Sequence, residues 1–283
     1  MRIGPVRRVV QTCALLLFAA PAIAAGWGLF GRYAGGDAPD PAPAQMPWWG
    51  SFSSSQVFGL ELADPFAVLQ VAAAAHEVPL RLLAAALPVL LFYGLVRGRA
   101  FCGWVCPANF LLEGVDALRE RLGLRVRERA VPRRAKLVAA AAVLALSALT
   151  AVPVFEAASP PGAVGKAVLF GSFAGVWALA AVVAAELFWA RRVWCRALCP
   201  LGGMYQLLGA VGAVSVTIDR DACVACGACT RRCLCDPAIL QPALAGESPR
   251  VAAGDCMLCG RCVDACAGGA LKMRVAAPRH PAL

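Results

Sequence analysis

The sequence predicts a membrane α-helical domain of four transmembrane helices followed by a small, cysteine-rich α+β domain. Three observations carry this. Hydrophobic residues make up 60% of the 283 residues and charged residues 16%, with a mean hydropathy of +0.68; an average soluble domain is roughly half apolar and about a quarter charged. The apolar residues gather into four blocks near the ~20 residues that cross a bilayer core. Nine of the 14 cysteines fall between Cys223 and Cys266. The division is expected at residues 1–213 and 214–283.

The expected spans are 9–30, 78–96, 137–155 and 167–190. Arg2, Arg7 and Arg8 ahead of an apolar run and Ala22-Ile23-Ala24 also fit a cleaved signal peptide, but Trp27 and Phe30 extend the run beyond a usual signal core. Arg119, Arg121, Arg125, Arg127, Arg129, Arg133, Arg134 and Lys136 crowd the connection between spans two and three. The first connection has only Arg32 before His76, and the third only Lys166. The positive-inside rule then places both termini and the cysteine-rich domain in the cytoplasm of a cell with an inner membrane. The same distribution explains the net charge of +10 without nucleic acid, since no reader motif accompanies it.

Between the spans, residues 37–43 read as a Pro-rich linker. Trp48, Trp49 and Phe52 read as interfacial aromatics, and residues 66–75 as a segment along the membrane surface. Leu111, Leu112, Val115, Leu118 and Leu122 repeat at helical spacing between charges, which predicts an amphipathic helix on the inner surface. Alternation at Val214, Val216 and Ile218, and again at Leu271, Met273 and Val275, predicts two strands that bracket the cysteines. A short helix near 204–211 leads into them.

Two runs share the spacing C-x2-C-x2-C-x3-C: Cys223, Cys226, Cys229 and Cys233, then Cys256, Cys259, Cys262 and Cys266. Three close cysteines hold one side of a cubane cluster and a distant fourth closes it, supplied in two-cluster ferredoxins by the other run. The expected ligands are Cys223, Cys226, Cys229 and Cys266 for cluster I, and Cys256, Cys259, Cys262 and Cys233 for cluster II, each cluster being [4Fe–4S]. Gly227 and Gly260 let the backbone wrap each site. Zinc and disulfides are the competing uses of such cysteines, and two quadruple runs exceed what zinc needs. The usual proline after the fourth cysteine is replaced by Leu234 and Ala267, and Cys235 is an alternative fourth ligand.

Two C-x3-C-P motifs, Cys102–Cys106 and Cys195–Cys199, follow spans two and four. Residues i and i+4 share a helix side, so the pairs are candidates to meet as four thiolates, binding metal or cycling as a dithiol; inert buried cysteine is the alternative. Cys13 stands alone in span one. His76 and His280 are too far apart in the topology to hold one haem.

The layout resembles the NapH/MauN family of membrane ferredoxin-type proteins of periplasmic nitrate reduction and methylamine utilisation. The resemblance covers nearly the whole chain. It is carried by the two C-x3-C-P motifs, the paired runs, Ser53-Ser54-Ser55, Ala63-Asp64-Pro65, Phe101–Pro107 and Cys259–Asp264; the Pro-rich insert and the missing prolines depart from it. It implies electron transfer between the quinone pool and a partner iron–sulfur or c-type haem protein, with no independent enzymatic activity. The alternatives are an assembly factor that reduces a metal or partner cofactor through the C-x3-C-P thiols, and a redox sensor. Quinol oxidation needs a proton acceptor, for which Asp64 and His76, with Glu61, are the candidates. Glu186, inside span four, is a charge expected to pair with Arg191 or Arg192 or to serve the site.

Overall fold

The computed structural model describes residues 2–25, 45–124, 126, 132–173 and 175–275. The Pro-rich linker, the end of the first expected span at 26–30, the arginines at 125, 127 and 129, and His280 lie outside the described residues.

Helix α1 (Ile3–Ala25) starts earlier than its apolar run. A three-stranded antiparallel meander follows, β1 (Trp48–Gly50), β2 (Ser54–Val57) and β3 (Leu60–Ala63), with Trp49 opposite Gln56 and Gln56 opposite Glu61. The aromatics placed at a membrane interface instead fasten this sheet to α1. Trp48 Nε1 donates to the Leu17 carbonyl at 3.0 Å, and Phe52 lies 4.3 Å from Phe18.

Helix α2 (Pro65–Ala75) is capped by Asp64, with Pro65 in the first turn. It is apolar all round, and such a helix is buried. Phe66, Val68 and Gln70 are 0–2% exposed, so that side of α2 is packed inside the molecule, while Leu69 faces out. Helix α3 (Leu80–Val96) matches the second expected span. The first C-x3-C-P motif occupies α4 (Ala100–Trp104) and the start of α5 (Pro107–Arg121).

Helix α6 (Ala135–Thr150) ends before the expected third span does, because Ala151 turns left-handed ahead of Pro153. The fourth expected span is not one helix. After α7 (Val154–Ala158), α8 (Pro160–Phe170) ends at left-handed Gly171, and α9 (Val176–Phe188) begins after Gly175. Glycine at the C-cap position is the ordinary stop of a helix, and hydropathy alone does not see it. Among the described residues, only α1 is long and apolar enough to cross a membrane by itself. Helices α3, α6 and α9, with 17, 16 and 13 residues, reach ~20–25 Å at 1.5 Å per residue.

These helices are patterned inside out. Leu87, Leu91, Leu95, Leu149, Trp177 and Phe188 are exposed, whereas Arg7, Gln11, Lys136, Ser147 and Glu186 are at most 3% exposed. Helix α5 shares the pattern: Glu113, Asp116 and Arg119 face inward while Leu118 and Leu122 face out. The buried face of α5 therefore carries charges beside the apolar Leu112 and Val115.

After a π-turn at Trp194–Leu198 comes α10 (Pro200–Gly209). Strands β4 (Val214–Ile218) and β5 (Leu271–Val275) pair antiparallel, Val214 opposite Val275 and Ile218 opposite Leu271. Between them lie α11 (Ala228–Arg231), a 3-10 turn at Pro237–Leu240, α12 (Gln241–Ala245) and α13 (Arg261–Asp264). The cysteine-rich part is seated directly on the helices. Arg97 donates to the carbonyls of Val214, Val251 and Ala253 at 2.7–3.0 Å. Trp104 Nε1 donates to Leu258 at 2.9 Å. A side chain at Gly103 would collide with the Met257 carbonyl.

Candidate functional site

The two cysteine runs fold alike. In each, the residue before the second cysteine is left-handed, Ala225 at φ 51° and Leu258 at φ 51°, and so is the glycine after it, Gly227 at 67° and Gly260 at 72°. Alternating handedness of this kind turns successive backbone N–H groups toward one concavity, suited to anionic sulfur. Each glycine starts a one-turn helix, α11 or α13. Each turn leads to the fourth cysteine through the same bond, Cys233 N to Thr230 O at 3.2 Å and Cys266 N to Val263 O at 3.1 Å.

Cys223, Cys226, Cys229 and Cys266 line one cavity of about 230 Å³, walled by Ile218, Leu244 and Leu271. The chemistry of this donor set, four sulfurs facing a shared space in an apolar shell, fits a [4Fe–4S] cluster. Among the described residues no three His, Cys, Asp or Glu side chains are gathered to hold a single ion. The rim is open at Val224, which is 73% exposed, and at Cys226.

Cys256, Cys259 and Cys262 of the second run are 8–9% exposed. Cys233 and Cys235 both stand beside them. Cys235 is 4% exposed, accepts from Cys233 and from the Met257 N–H, and faces Arg99 and Lys136. The Cys233 hydrogen bond, aided by those two cations, outweighs burial and lowers the Cys235 thiol. Cys233 is pushed up in return and lies 3.6 Å from the Asp236 carbonyl.

The four C-x3-C-P cysteines are buried at 7–9% exposure. Cys106 and Cys199 occupy the N-cap positions of α5 and α10, and Cys199 Sγ accepts from Gly202 N at 3.4 Å. Three residues before each first cysteine stands a buried arginine. Arg99 donates to the Cys195 carbonyl at 2.8 Å and to Asp255 O at 2.9 Å. Arg192 donates to Asn109 Oδ1 at 2.8 Å and Asp116 Oδ2 at 2.7 Å. Each arginine thus reaches from its own motif to the other. Glu186 is 3% exposed and accepts from the backbone of Arg192 and, at 3.1 Å, of Trp194, bracing the turn into Cys195.

A second buried anion, Glu113, binds Arg7 in bidentate fashion and also Asn109 and Arg261. Burial alone would raise it, but the Arg7 hydrogen bond and charge, with Arg192 and Arg261, hold it near 2. Asp255 joins Arg99, Arg133 and Lys136. No motif marks either group; only an acidic residue on an otherwise arginine-rich face hints at it.

The three expected proton acceptors are not brought together. Glu61 is half-buried and paired with Arg81. His76 is exposed at the far end of α2, ~16 Å along an 11-residue helix from Asp64. Asp64 is 6% exposed, accepts from Ala67 N at 3.0 Å, and accepts from the Tyr205 hydroxyl at 2.9 Å. Desolvation raises it to about 7 against those hydrogen bonds. Tyr205 stacks on Phe101 at 5.4 Å, next to Cys102.

A family model described as a 4Fe-4S binding domain matches twice, at residues 78–125 and 170–217. Both matches cover the C-x3-C-P halves rather than the C-terminal runs. The chain is 40% identical over 210 residues to the methylamine utilization ferredoxin-type protein MauN of Paracoccus denitrificans, 73% of this chain and 74% of that one. It is 38% identical over 221 residues to MauN of Methylorubrum extorquens, 77% and 76% of the two chains. It is 34% identical over 230 residues to the ferredoxin-type protein NapH of Escherichia coli, 78% and 79%. No solved structure matches. At such identity over about three quarters of each partner, the chain belongs to the MauN/NapH family of ferredoxin-type proteins.

Proposed function

We propose that this chain is a membrane-bound iron–sulfur electron-transfer protein that draws electrons from the quinol pool and delivers them to a redox partner. The observation that carries this is the convergence of Cys223, Cys226, Cys229 and Cys266 on one cavity. When bound, [4Fe–4S] clusters supply one-electron carriers. Cys256, Cys259, Cys262 and Cys233 hold the second. Cys233, not Cys235, is its fourth ligand on this reading, because it stands where Cys266 stands in the pseudo-equivalent run.

The inside-out helices support a lipid surround. Exposed leucines with buried charges are unfavourable in water and suited to a bilayer. The chain crosses four times, by α1, α3, α6 and α9, with the polar flanks of the shorter helices completing the thickness. Both termini face the cytoplasm of the inner membrane.

Asp64 is the proton acceptor for quinol. Its carboxylate is buried, titrates about 7, and is held in place by Ala67 N and Tyr205. The exposed rim at Val224 and Cys226 suits docking by an iron–sulfur or c-type haem partner, since it leaves little protein between cluster and surface. Work on a partner by the C-x3-C-P thiols, the assembly-factor alternative, requires access, and all four are buried.

The test is anaerobic purification in detergent. Cys223→Ser is expected to remove about four irons and four sulfides per chain, and a soluble quinol is expected to bleach the cluster absorbance of the wild type. Full iron in the variant would sink the first site; a protein reduced by dithionite but never by quinol would sink the quinol link.

A further inference from the structure

The two family-model matches each contain only two cysteines. Neither half can close a four-thiolate site alone. The halves repeat the pattern R-x-x-C-x3-C-P, with Arg99, Cys102, Cys106 and Pro107 in one and Arg192, Cys195, Cys199 and Pro200 in the other. We propose that the two halves together hold a third [4Fe–4S] cluster, ligated by Cys102, Cys106, Cys195 and Cys199, one pair from each.

Several independent features support one shared site. The motifs are laced to each other crosswise, Arg99 to the Cys195 backbone and Arg192 to the Asn109 side chain just past Cys106. That exchange is what an internal pseudo-two-fold produces. All four thiols are withdrawn from solvent, and none is in a disulfide. The four lie within electrostatic range of one another, and a metal cluster would bind them as thiolates.

The surroundings are also built for an anion. A [4Fe–4S] cube in its oxidised form with four thiolates carries about two negative charges, and its potential and stability depend on nearby charge and on N–H donors to sulfur. Two arginines, each 1% exposed, flank the motifs. Arg99 Nε and Arg192 Nη2 are buried without a hydrogen-bond partner, although Arg192 also pairs with Asp116 and Arg99 with Asp255. Buried donors of charged groups are seldom left unpaired. At the second cysteine of each motif a helix N-terminus begins, with Gly202 N donating to Cys199 Sγ at 3.4 Å and the N–H groups of Ala108 and Asn109 facing Cys106. The neighbours suit a relay. Gly103, inside the first motif, abuts Met257 inside the second C-terminal run, and Tyr205, bonded to Asp64, stacks on Phe101 beside Cys102. The site lies between the proton acceptor and the C-terminal clusters.

The experiment uses the full-length chain in detergent or nanodiscs under strict anaerobiosis, with iron, zinc and acid-labile sulfide counted per chain and EPR and Mössbauer spectra recorded. Three clusters predict about twelve irons and twelve sulfides in the wild type. The Cys102→Ser/Cys195→Ser double variant should lose about four of each and keep the spectra of the C-terminal pair. The converse variant, Cys223→Ser/Cys256→Ser, should keep about four. About eight irons in the wild type would overturn the proposal while leaving the C-terminal clusters standing. About ten with a [2Fe–2S] spectrum, or zinc in the tetrad, would overturn it equally. If the double variant fails to fold, the converse variant decides: no residual cluster there overturns the third site.

Discussion

Asp64→Asn separates a proton acceptor from a helix cap. Asparagine caps helices about as well as aspartate, so α2 should keep its start at Pro65 and the fold should hold. Chemistry should not. In the wild type, desolvation sets the Asp64 carboxyl about 7, above the ordinary 3.8. Only its ionised form accepts a proton from quinol. About a tenth is ionised at pH 6 and about nine tenths at pH 8, so quinol-driven cluster reduction should rise about ninefold over that interval. Asparagine abolishes the acceptor; a positioned general base contributes roughly 10²–10⁴-fold, and a loss of at least ~10²-fold with a flattened profile is expected. Tyr205→Phe removes a hydrogen bond that favours the carboxylate, which moves the wild-type profile to higher pH without abolishing it. The assay is stopped-flow bleaching of cluster absorbance by a soluble quinol, with dithionite reduction as the control for intact clusters. A wild-type rate that does not change between pH 6 and 8, or an Asn variant with the wild-type slope, refutes the assignment.

Other outcomes follow from the buried charges and the cysteines. Glu113→Ala strands Arg7, which is 1% exposed, and breaking such a buried pair costs about 3–5 kcal/mol, read as an earlier thermal or denaturant midpoint in detergent. Since Glu113 is held near 2 against an ordinary 4.5, its contribution is full above ~4.5 and disappears as pH falls toward 2; a midpoint unaffected by the substitution would contradict this. Cys233→Ala should cost the second C-terminal site about four irons, whereas Cys235→Ala should retain them; the reverse result would make Cys235 the ligand.

What the sequence disclosed depended on whether a feature was local. Strands β4 and β5 announce themselves by alternation over five residues each, and the cysteine runs by spacing, because the cluster loop is made by nearest neighbours such as Ala225 and Gly227. The hydropathy of α3 gave its ends to within two residues. The break at Gly171–Gly175 was hidden because both sides of it are apolar. Helix α2 was misplaced for a different reason. Residues 66–75 carry no polar face, and apolar composition does not distinguish a membrane surface from a protein interior. The Asp64–Tyr205 bond spans 141 positions, and the Glu113 network joins α1, α5 and α13. Such contacts have no periodicity to read. The one available signal was a pair of acidic residues, Glu113 and Asp116, directly beside the apolar Leu112 and Val115 of α5.

The arginines show the same limit from the other side, and they lead to a prediction about architecture. Arg7, Arg97, Arg99 and Arg192 flank apolar segments, as orientation charges do, yet all four are at most 2% exposed. They are therefore structural ties as well as charges. Orientation by charge rests on residues that remain exposed, such as Arg8, Arg133 and Arg134. Arg97 ties the end of α3 to β4 and to the segment before Cys256 through three carbonyls. Hydrogen bonds to a charged group contribute about 1.5–3 kcal/mol each, and the carbonyls left behind stay buried. Arg97→Leu should therefore loosen the cysteine-rich part by at least ~3 kcal/mol, while membrane insertion and orientation are unchanged. Limited proteolysis of inverted vesicles would show it as faster cleavage between residues 209 and 214, with the N-terminal fragments keeping their sidedness. Wild-type protease resistance in the variant would mean that Trp104, Arg99 and the Asp255 cluster hold the interface without Arg97; a changed sidedness would mean that Arg97 acts first as a topology charge.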